Sequence, residues 1–284
     1  MKTIIDHMLD HYSEFTKSER KIIDYILEHK TEVQYLSITD LSTVCKVSIS
    51  TISVFCRKLG AEGFNVFKLE LAKATMPQMP LSIPRSFGNL RADDTLEQVI
   101  EKTFTANQDA LQKTYQRLDK EKISKAVDML RDSNRVLCLG QGNHSIIAKA
   151  AWARFSTVSS RFFTIEDSHL QALSAATMTK KDVLLFFSYS GATHDFIEMA
   201  HTLRALGVKI ILVTGFPHSP GSELSDLVLL IGADEQPLSY GSVGAMISQM
   251  LLVDILYNEF CRRDFARSEK TRDFVGKILA KKCM

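Results

Sequence analysis

A proline-rich segment divides the chain into two parts with different residue patterns. Three of the six prolines fall within residues 76–94, at Pro77, Pro80 and Pro84. Proline has no amide hydrogen to donate and restricts the residue before it, so this segment cannot form a helix. A chain of 284 residues is long enough for two domains of ordinary size. The sequence therefore predicts an N-terminal domain over 1–75, a linker over 76–94 and a C-terminal domain over 95–284.

The apolar residues have a helical period before the linker and form both helices and strands after it. Two helical segments follow the linker, at about 95–115 and 120–131. Apolar runs then occur at 135–139, 182–187 and 209–214, with helical segments between them. This alternation is typical of a parallel sheet with helices on both faces. The predicted fold class is an all-α domain followed by an α/β domain with such a sheet.

Two short segments of the first domain have the spacing of a helix-turn-helix. One helix is predicted to begin at Ser37 and the next at Ser48, with only Lys46 and Val47 between them. Gly60 can end the second helix because glycine adopts positive φ. A turn this short makes the two helices cross steeply, and in a helix-turn-helix the second helix enters the major groove of DNA.

Side chains that suit DNA contacts lie on the second of these helices. Hydroxyl groups bond to phosphates and bases, while arginine and lysine supply the salt-dependent affinity. The candidate DNA-binding residues are Ser48, Ser50, Thr51, Ser53, Arg57 and Lys58, with Lys68 and Lys73 as further backbone contacts. A helix bundle that binds no DNA is the alternative, because hydroxyls also favour helix starts for capping alone. The net charge of +2 does not decide between them.

The first domain resembles the N-terminal domain of RpiR-type regulators. The resemblance rests on the run 47–60 and on the sequence Gly-Phe-Asn-Val-Phe-Lys at 63–68, which is more specific than a helix-turn-helix alone. It implies that the protein binds a double-stranded DNA operator. One position departs from the family pattern, since Val54 stands where members often carry arginine. Either the operator contact differs here, or Ser53 and Arg57 make it.

Two predicted strands of the second domain end in loops whose residues suit a phosphate group. The first loop covers 140–145, with a helix predicted from Ile146, and the second covers 188–193, with a helix near His194. Hydroxyls donate to phosphate oxygens, glycine lets the backbone approach, and the helix behind adds amides and its positive end. The predicted ligand-binding residues are Ser188, Ser190, Gly191, Thr193, Gly142, Asn143, His144 and Ser145.

Each loop also has an explanation without a ligand. A tight strand-to-helix turn uses glycine whether or not it binds anything, so the Gly-x-Gly of 140–142 leaves this alternative open. In 188–193 a capped helix would need one hydroxyl, whereas the loop has three at Ser188, Ser190 and Thr193. The second loop is therefore the more specific indication of phosphate binding.

The second loop resembles the hallmark of the SIS, or sugar isomerase, domain. That hallmark is Ser-x-Ser-Gly-x-Thr after a strand, and it is matched by Ser188, Ser190, Gly191 and Thr193. The resemblance extends over about residues 95–265. It implies a SIS-type parallel sheet and a phosphosugar held by the hydroxyl loops that follow two strands.

Three positions depart from the SIS pattern and leave the identity of the ligand open. His144 stands where the first loop often has serine, although Ser145 adjoins it. Ala192 replaces a frequent glutamate, and Met246 replaces a frequent arginine.

The resemblances together imply a cytoplasmic regulator of sugar or amino-sugar metabolism genes with a phosphosugar effector. A homodimer or homotetramer is expected because helix-turn-helix proteins usually act in pairs. The late helix 243–262 is a candidate pairing surface, with burial inside the monomer as the alternative. No run approaches the roughly 18 consecutive apolar residues of a membrane span and no signal region follows Met1, so no membrane contact is expected. No cofactor is expected either.

The five cysteines are scattered and form no Cys-x-x-Cys pair. This pattern predicts buried, reduced thiols and no metal site.

The alternatives are a phosphosugar isomerase and a sugar-phosphate sensor that does not contact DNA. Isomerisation needs a base beside C1 and C2 of the sugar. Acidic and histidine residues near the predicted loops are Glu166, Asp167, His169, His194 and Glu198. None lies in a motif typical of catalysis, and an isomerase has no need of a helix-turn-helix. No catalytic residue is therefore predicted.

Overall fold

The structure is a computed structural model that describes residues 3–29, 33, 36–75, 90–233 and 243–281, except for the side chains of residues 72, 73 and 75. The chain divides into two compact units between Ala92 and Asp93. Most of the predicted linker, residues 76–89, lies outside the described residues.

The described part of the first unit contains helices and no strand, as predicted. Thr16 and Glu19 form the capping box that their spacing indicates, which sets the start of the second helix. Buried side chains from all five helices form one core. The helices are α1 (Ile4–Asp10), α2 (Lys17–Glu28), α3 (Ile38–Cys45), α4 (Ile49–Lys58) and α5 (Phe64–Thr75), with a 3-10 turn at Tyr12–Glu14.

Helices α3 and α4 have the helix-turn-helix geometry that the sequence predicts. The chain bends by 104° between them. Lys46 ends α3 in the left-handed conformation, with φ of 53°, and Ser48 caps α4. Gly60, just after α4, has φ of 85°. Within the described part of the chain, no single helix is long and apolar enough to cross a membrane, and α3 and α4 reach that composition only when taken together.

The second unit is built on a five-stranded parallel sheet, which confirms the predicted fold class. The strand order is β2-β1-β3-β4-β5. The strands are β1 (Val136–Gly140), β2 (Phe162–Thr164), β3 (Val183–Phe187), β4 (Lys209–Thr214) and β5 (Leu227–Leu230). The helices are α6 (Leu96–Gln116), α7 (Lys120–Asp132), α8 (Asn143–Ser156), α9 (Ser168–Ala176), α10 (His194–Ala205), α11 (Pro220–Leu224), α12 (Val243–Arg262) and α13 (Phe265–Ala280).

Helices pack on both faces of this sheet because alternate strand residues point to opposite sides. On one face, Phe186 of β3 stacks on Phe196 of α10 with ring centroids 4.1 Å apart. On the other, Phe155 of α8 stacks on Phe162 of β2 at 4.2 Å. The strands are buried on both sides, which explains why they appear in the sequence as continuous apolar runs.

The chain turns in opposite directions on the two sides of the β1–β3 pair. From β1 it passes to β2 at one edge, whereas β3, β4 and β5 extend the sheet the other way. The pair is in register, with Gly140 opposite Phe187 at the carboxyl end. Ligands in open parallel sheets bind at such a switch in strand order, and both predicted ligand loops begin there.

Helix α12 belongs mainly to the core of its own unit. Leu252, Val253 and Leu256 are at most 1% exposed. Burial inside the monomer therefore accounts for most of its apolar residues, and a pairing role is not needed to explain them. Four cysteines are buried and free, as predicted, at Cys45, Cys56, Cys138 and Cys261.

Candidate functional site

The two predicted ligand loops lie side by side at the carboxyl edge of the sheet. The backbone N–H of Tyr189 donates to Nε2 of His144, at 3.4 Å. The side-chain amide of Gln141 donates to Oδ2 of Asp195, at 2.9 Å. The structure thus joins residues 140–145 and 188–193 by direct hydrogen bonds between neighbouring chain segments.

The first loop is shorter than the sequence predicts. Helix α8 begins at Asn143, not at Ile146. Asn143, His144 and Ser145 therefore form its first turn. Gly142 precedes the helix with φ of 56°, a conformation that glycine adopts without strain. The prediction of a longer turn was wrong because a glycine at the helix start has no side chain to reveal the boundary.

The hydroxyls of the second loop are arranged by hydrogen bonds within the loop. Ser188 is 2% exposed; its Oγ accepts from the N–H of Gly191 at 3.1 Å and lies 3.2 Å from Oγ1 of Thr193. Ser190 Oγ accepts from the N–H of Ala192 at 3.2 Å. Ser190 and Thr193 are partly exposed, so these two hydroxyls are the ones that a ligand reaches directly.

Gly191 allows the second loop to pack against the start of α11. Its φ is 61°, and a Cβ atom there would lie 2.1 Å from Oγ of Ser219. The carbonyl of Gly191 accepts from the N–H of Gly221 at 2.8 Å. A side chain at this position would therefore displace the loop that carries Ser188 and Ser190.

Tyr189 anchors the same loop, a role that the sequence did not predict. Its hydroxyl donates to the carbonyl of Ala233 at 2.6 Å. Its own carbonyl accepts from Oγ1 of Thr214 at 2.8 Å and from the N–H of Gly215 at 3.0 Å. Its side chain is 8% exposed. A tyrosine between two loop serines was the available signal.

His144 is bonded through both ring nitrogens to protein groups. Its Nδ1 lies 2.9 Å from Oε1 of Gln249 on α12, and Nε2 faces the N–H of Tyr189. Nε2 must therefore be the acceptor and Nδ1 carries the proton. Burial lowers the pKa of His144, and the bond with Gln249 opposes that shift. The predicted ligand role of this side chain remains a prediction, but its nitrogens already support the two loops.

Gln249 is a second residue that the sequence did not predict. It is 0% exposed, and its Nε2 has no hydrogen-bond partner within the described residues. Its position is marked in the sequence by Ser248 and Gln249 interrupting an apolar run.

The helices behind both loops begin without a side-chain cap. Gly142 before α8 and Thr193 before α10 make no capping bond from the side chain. Helix α13 also lacks one. A side chain does cap α1, α2, α3, α4, α6, α7, α9 and α11. Uncapped helix starts leave amide donors and a positive end, which favour an anion.

The predicted DNA-contact residues lie on α4, on two of its faces. The hydroxyls of Ser48, Ser50 and Thr51 cluster at the helix start, with Oγ of Ser48 2.7 Å from that of Ser50 and 2.8 Å from Oγ1 of Thr51. Ser53 Oγ donates to the carbonyl of Ile49 at 3.0 Å. Arg57 is exposed and continues the face that begins at Ser50.

The two predicted lysine contacts that the structure describes are directed toward the protein. Lys58 Nζ lies 3.3 Å from Oε2 of Glu19 and 4.4 Å from the centroid of the Phe15 ring. Lys68 Nζ donates to the carbonyl of Leu36 at 3.1 Å, and burial lowers the pKa of this lysine. Lys68 therefore fixes the approach to α3, and a role as a DNA backbone contact does not fit its geometry. The side chain of Lys73 lies outside the described residues.

A helix-turn-helix unit followed by a parallel α/β unit defines a class of two-domain transcriptional regulators. The model of the helix-turn-helix domain of the rpiR family matches residues 2–78. The SIS domain model matches residues 129–259. An uncharacterized HTH-type transcriptional regulator from Caldanaerobacter subterraneus is 32% identical over 86% of each chain. The chain therefore belongs to the RpiR family of HTH-type transcriptional regulators.

Two further proteins are similar along nearly the whole chain. The HTH-type transcriptional regulator HexR of Escherichia coli is 27% identical over 96% of this chain and 91% of its own. The Vibrio vulnificus NanR protein, solved in complex with ManNAc-6P, covers 98% of both chains with a TM-score of 0.80 and 24% identity. This last likeness establishes a shared fold over both units.

Proposed function

We propose that this regulator senses a phosphosugar at the edge of its sheet and controls an operator bound by α3 and α4. The observation that carries the proposal is the combination of the partly exposed Ser190 and Thr193 hydroxyls with two uncapped helix starts at the β1–β3 pair. Hydroxyl donors, backbone amides and positive helix ends are the groups that hold a phosphate.

The choice of a phosphosugar rests on the chemistry of the loop and on the related fold. NanR, which shares the fold, was solved with ManNAc-6P. That sugar phosphate is therefore the first ligand to test. We further propose that residues 76–94 link the two domains and that the target genes serve sugar or amino-sugar metabolism.

We propose binding without turnover, because two candidate bases already have structural roles. Glu166 forms a close ion pair with Lys149, which lowers the pKa of the carboxyl. Asp167 caps α9 by accepting from the N–H of Leu170 at 2.9 Å. Neither arrangement leaves a carboxylate ready to move a proton between sugar carbons. Rapid interconversion of phosphosugars by the purified protein would contradict this part of the proposal.

We propose that two copies bind an operator in the cytoplasm, where the DNA lies. Helix-turn-helix proteins commonly place two recognition helices one DNA turn apart. Exposed apolar side chains on one stripe of α6 support association of copies through the second unit: Leu96 (75%), Ile100 (61%) and Phe104 (67%). Mass measurement in solution tests this, and a monomer at operator-binding concentrations would contradict it.

A thermal-shift experiment on the full chain tests ligand binding at the second loop. A ligand that binds only the folded state raises the melting temperature. We expect ManNAc-6P or another phosphosugar to raise it, and Ser190→Ala to lose most of that rise. Loss of one hydrogen bond to a charged phosphate corresponds to about 1.5–3 kcal/mol, or roughly 10- to 100-fold in affinity. Basal operator binding should be unchanged in this variant.

Ser156→Ala is the matched control, because Ser156 is an exposed serine at the far end of α8. It should retain the full ligand response. If Ser190→Ala responds like Ser156→Ala, the ligand does not bind at this loop. If the Ser190 variant instead loses operator binding while its fold is intact, the division of roles between the two domains is wrong.

A further inference from the structure

Val54 is an apolar side chain placed on the outer face of the recognition helix. It is 54% exposed, more than any other large apolar side chain in the described part of the first unit. Its position near the middle of α4 means that no helix end or loop accounts for the exposure. The fold of the unit gains little from this valine, since exposed valine buries little area and is a weaker helix former than alanine.

The neighbours of Val54 leave it accessible. On a helix, positions 50, 53, 54 and 57 share one face, so Val54 is bordered by two serines and Arg57. Ser50 Oγ is bonded to that of Ser48 at 2.7 Å, and Ser53 Oγ donates to the carbonyl of Ile49 at 3.0 Å. Both serines are short and held close to the helix. The valine methyl groups therefore meet whatever approaches this face.

The major groove of DNA offers one prominent apolar group, the 5-methyl group of thymine. We propose that Val54 contacts a thymine methyl in each half-site and thereby selects thymine at that position. The inference rests on the proposed binding of DNA through α4 and specifies which base the helix recognises there. Valine has no polar atom with which to read guanine, adenine or cytosine by a hydrogen bond.

The test removes the methyl group from the DNA and from the protein separately. An operator is first selected from random duplexes with the full-length protein, and each thymine is then replaced singly by deoxyuridine. At one thymine per half-site, the wild type should bind about fourfold more weakly, as expected for one methyl group taken out of an apolar contact. Val54→Ala should bind thymine and deoxyuridine at that position equally well.

Val66→Ala is the matched control, since Val66 is 39% exposed on α5, away from α4. It should keep the fourfold sensitivity. The inference is contradicted if no single thymine methyl matters to the wild type, or if Val54→Ala stays sensitive at the same position. Both results leave DNA binding itself intact. If the selection enriches no sequence, the proposed DNA binding and this inference fail together.

Discussion

His144 connects three segments of the second unit at the level of a single residue. It lies in the first turn of α8, accepts from the backbone of Tyr189 in the hydroxyl loop and bonds with Gln249 on α12. A protonated imidazole has N–H donors on both nitrogens and cannot accept from Tyr189. Only the neutral ring fits this arrangement.

This arrangement predicts that the second unit becomes less stable as the solution is acidified. Burial lowers the pKa of His144 below the ordinary 6.5. The unfolded chain therefore binds the proton at a higher pH than the folded one, and stability falls as pH drops below about 6.5. The loss ends once the pH passes below the pKa of the folded state. Fluorescence of Trp152, the single tryptophan, follows the melting of this unit because it lies in α8.

His144→Gln should melt with a smaller difference between pH 7.5 and 5.5 than the wild type. His201→Gln, a change at an exposed histidine on α10, should keep the wild-type difference. Equal pH dependence in the wild type and His144→Gln would show that another group carries the effect.

At the level of elements, α4 has basic side chains with different surroundings. Among the described residues, Arg57 contacts only the carbonyl of Ser53, at 3.4 Å through Nε. Lys58 bonds with Glu19 and lies over Phe15. We therefore expect Arg57 to contribute to phosphate contacts and Lys58 to contribute mainly to packing between α4 and α2.

The salt dependence of operator binding separates these two roles. Removing the side chain that neutralises one phosphate reduces the steepness of log affinity against log salt by about one per site. Arg57→Ala should weaken binding and flatten the slope, while Lys58→Ala should leave the slope unchanged. An unchanged slope in the Arg57 variant would remove that residue from the interface, and equal flattening in both would assign Lys58 to the DNA as well.

The element boundaries that could be predicted are those with local signals. Thr16 and Glu19 mark a helix start three residues apart, and the continuous apolar run at 182–187 marks a strand buried on both faces. The start of α8 had no such signal, because glycine caps it. The bond between His144 and Gln249 spans 105 residues and depends on how α12 packs. No pattern along the chain reveals a contact of that kind, nor that Lys68 points inward.

At the level of the whole molecule, two folded units divide the work. The helix-turn-helix reads DNA, and the sheet edge at β1 and β3 offers an anion site in the other unit. A ligand at that edge changes DNA affinity only if it binds one conformation of the regulator better than another. Deletion of residues 1–75 should therefore abolish operator binding, whereas ligand binding to the remaining chain should persist if that chain folds alone.

The central claim is that a phosphosugar at Ser188–Thr193 controls operator affinity. The most direct measurement is the dissociation constant for a fluorescent operator duplex, with and without the phosphosugar that raises the melting temperature. For the wild type we expect a change of roughly fivefold or more, which is the usual lower end of coupling between sites. For Ser190→Ala at the same ligand concentration we expect little change. A phosphosugar that stabilises the wild type and leaves its operator affinity unaltered would contradict the account.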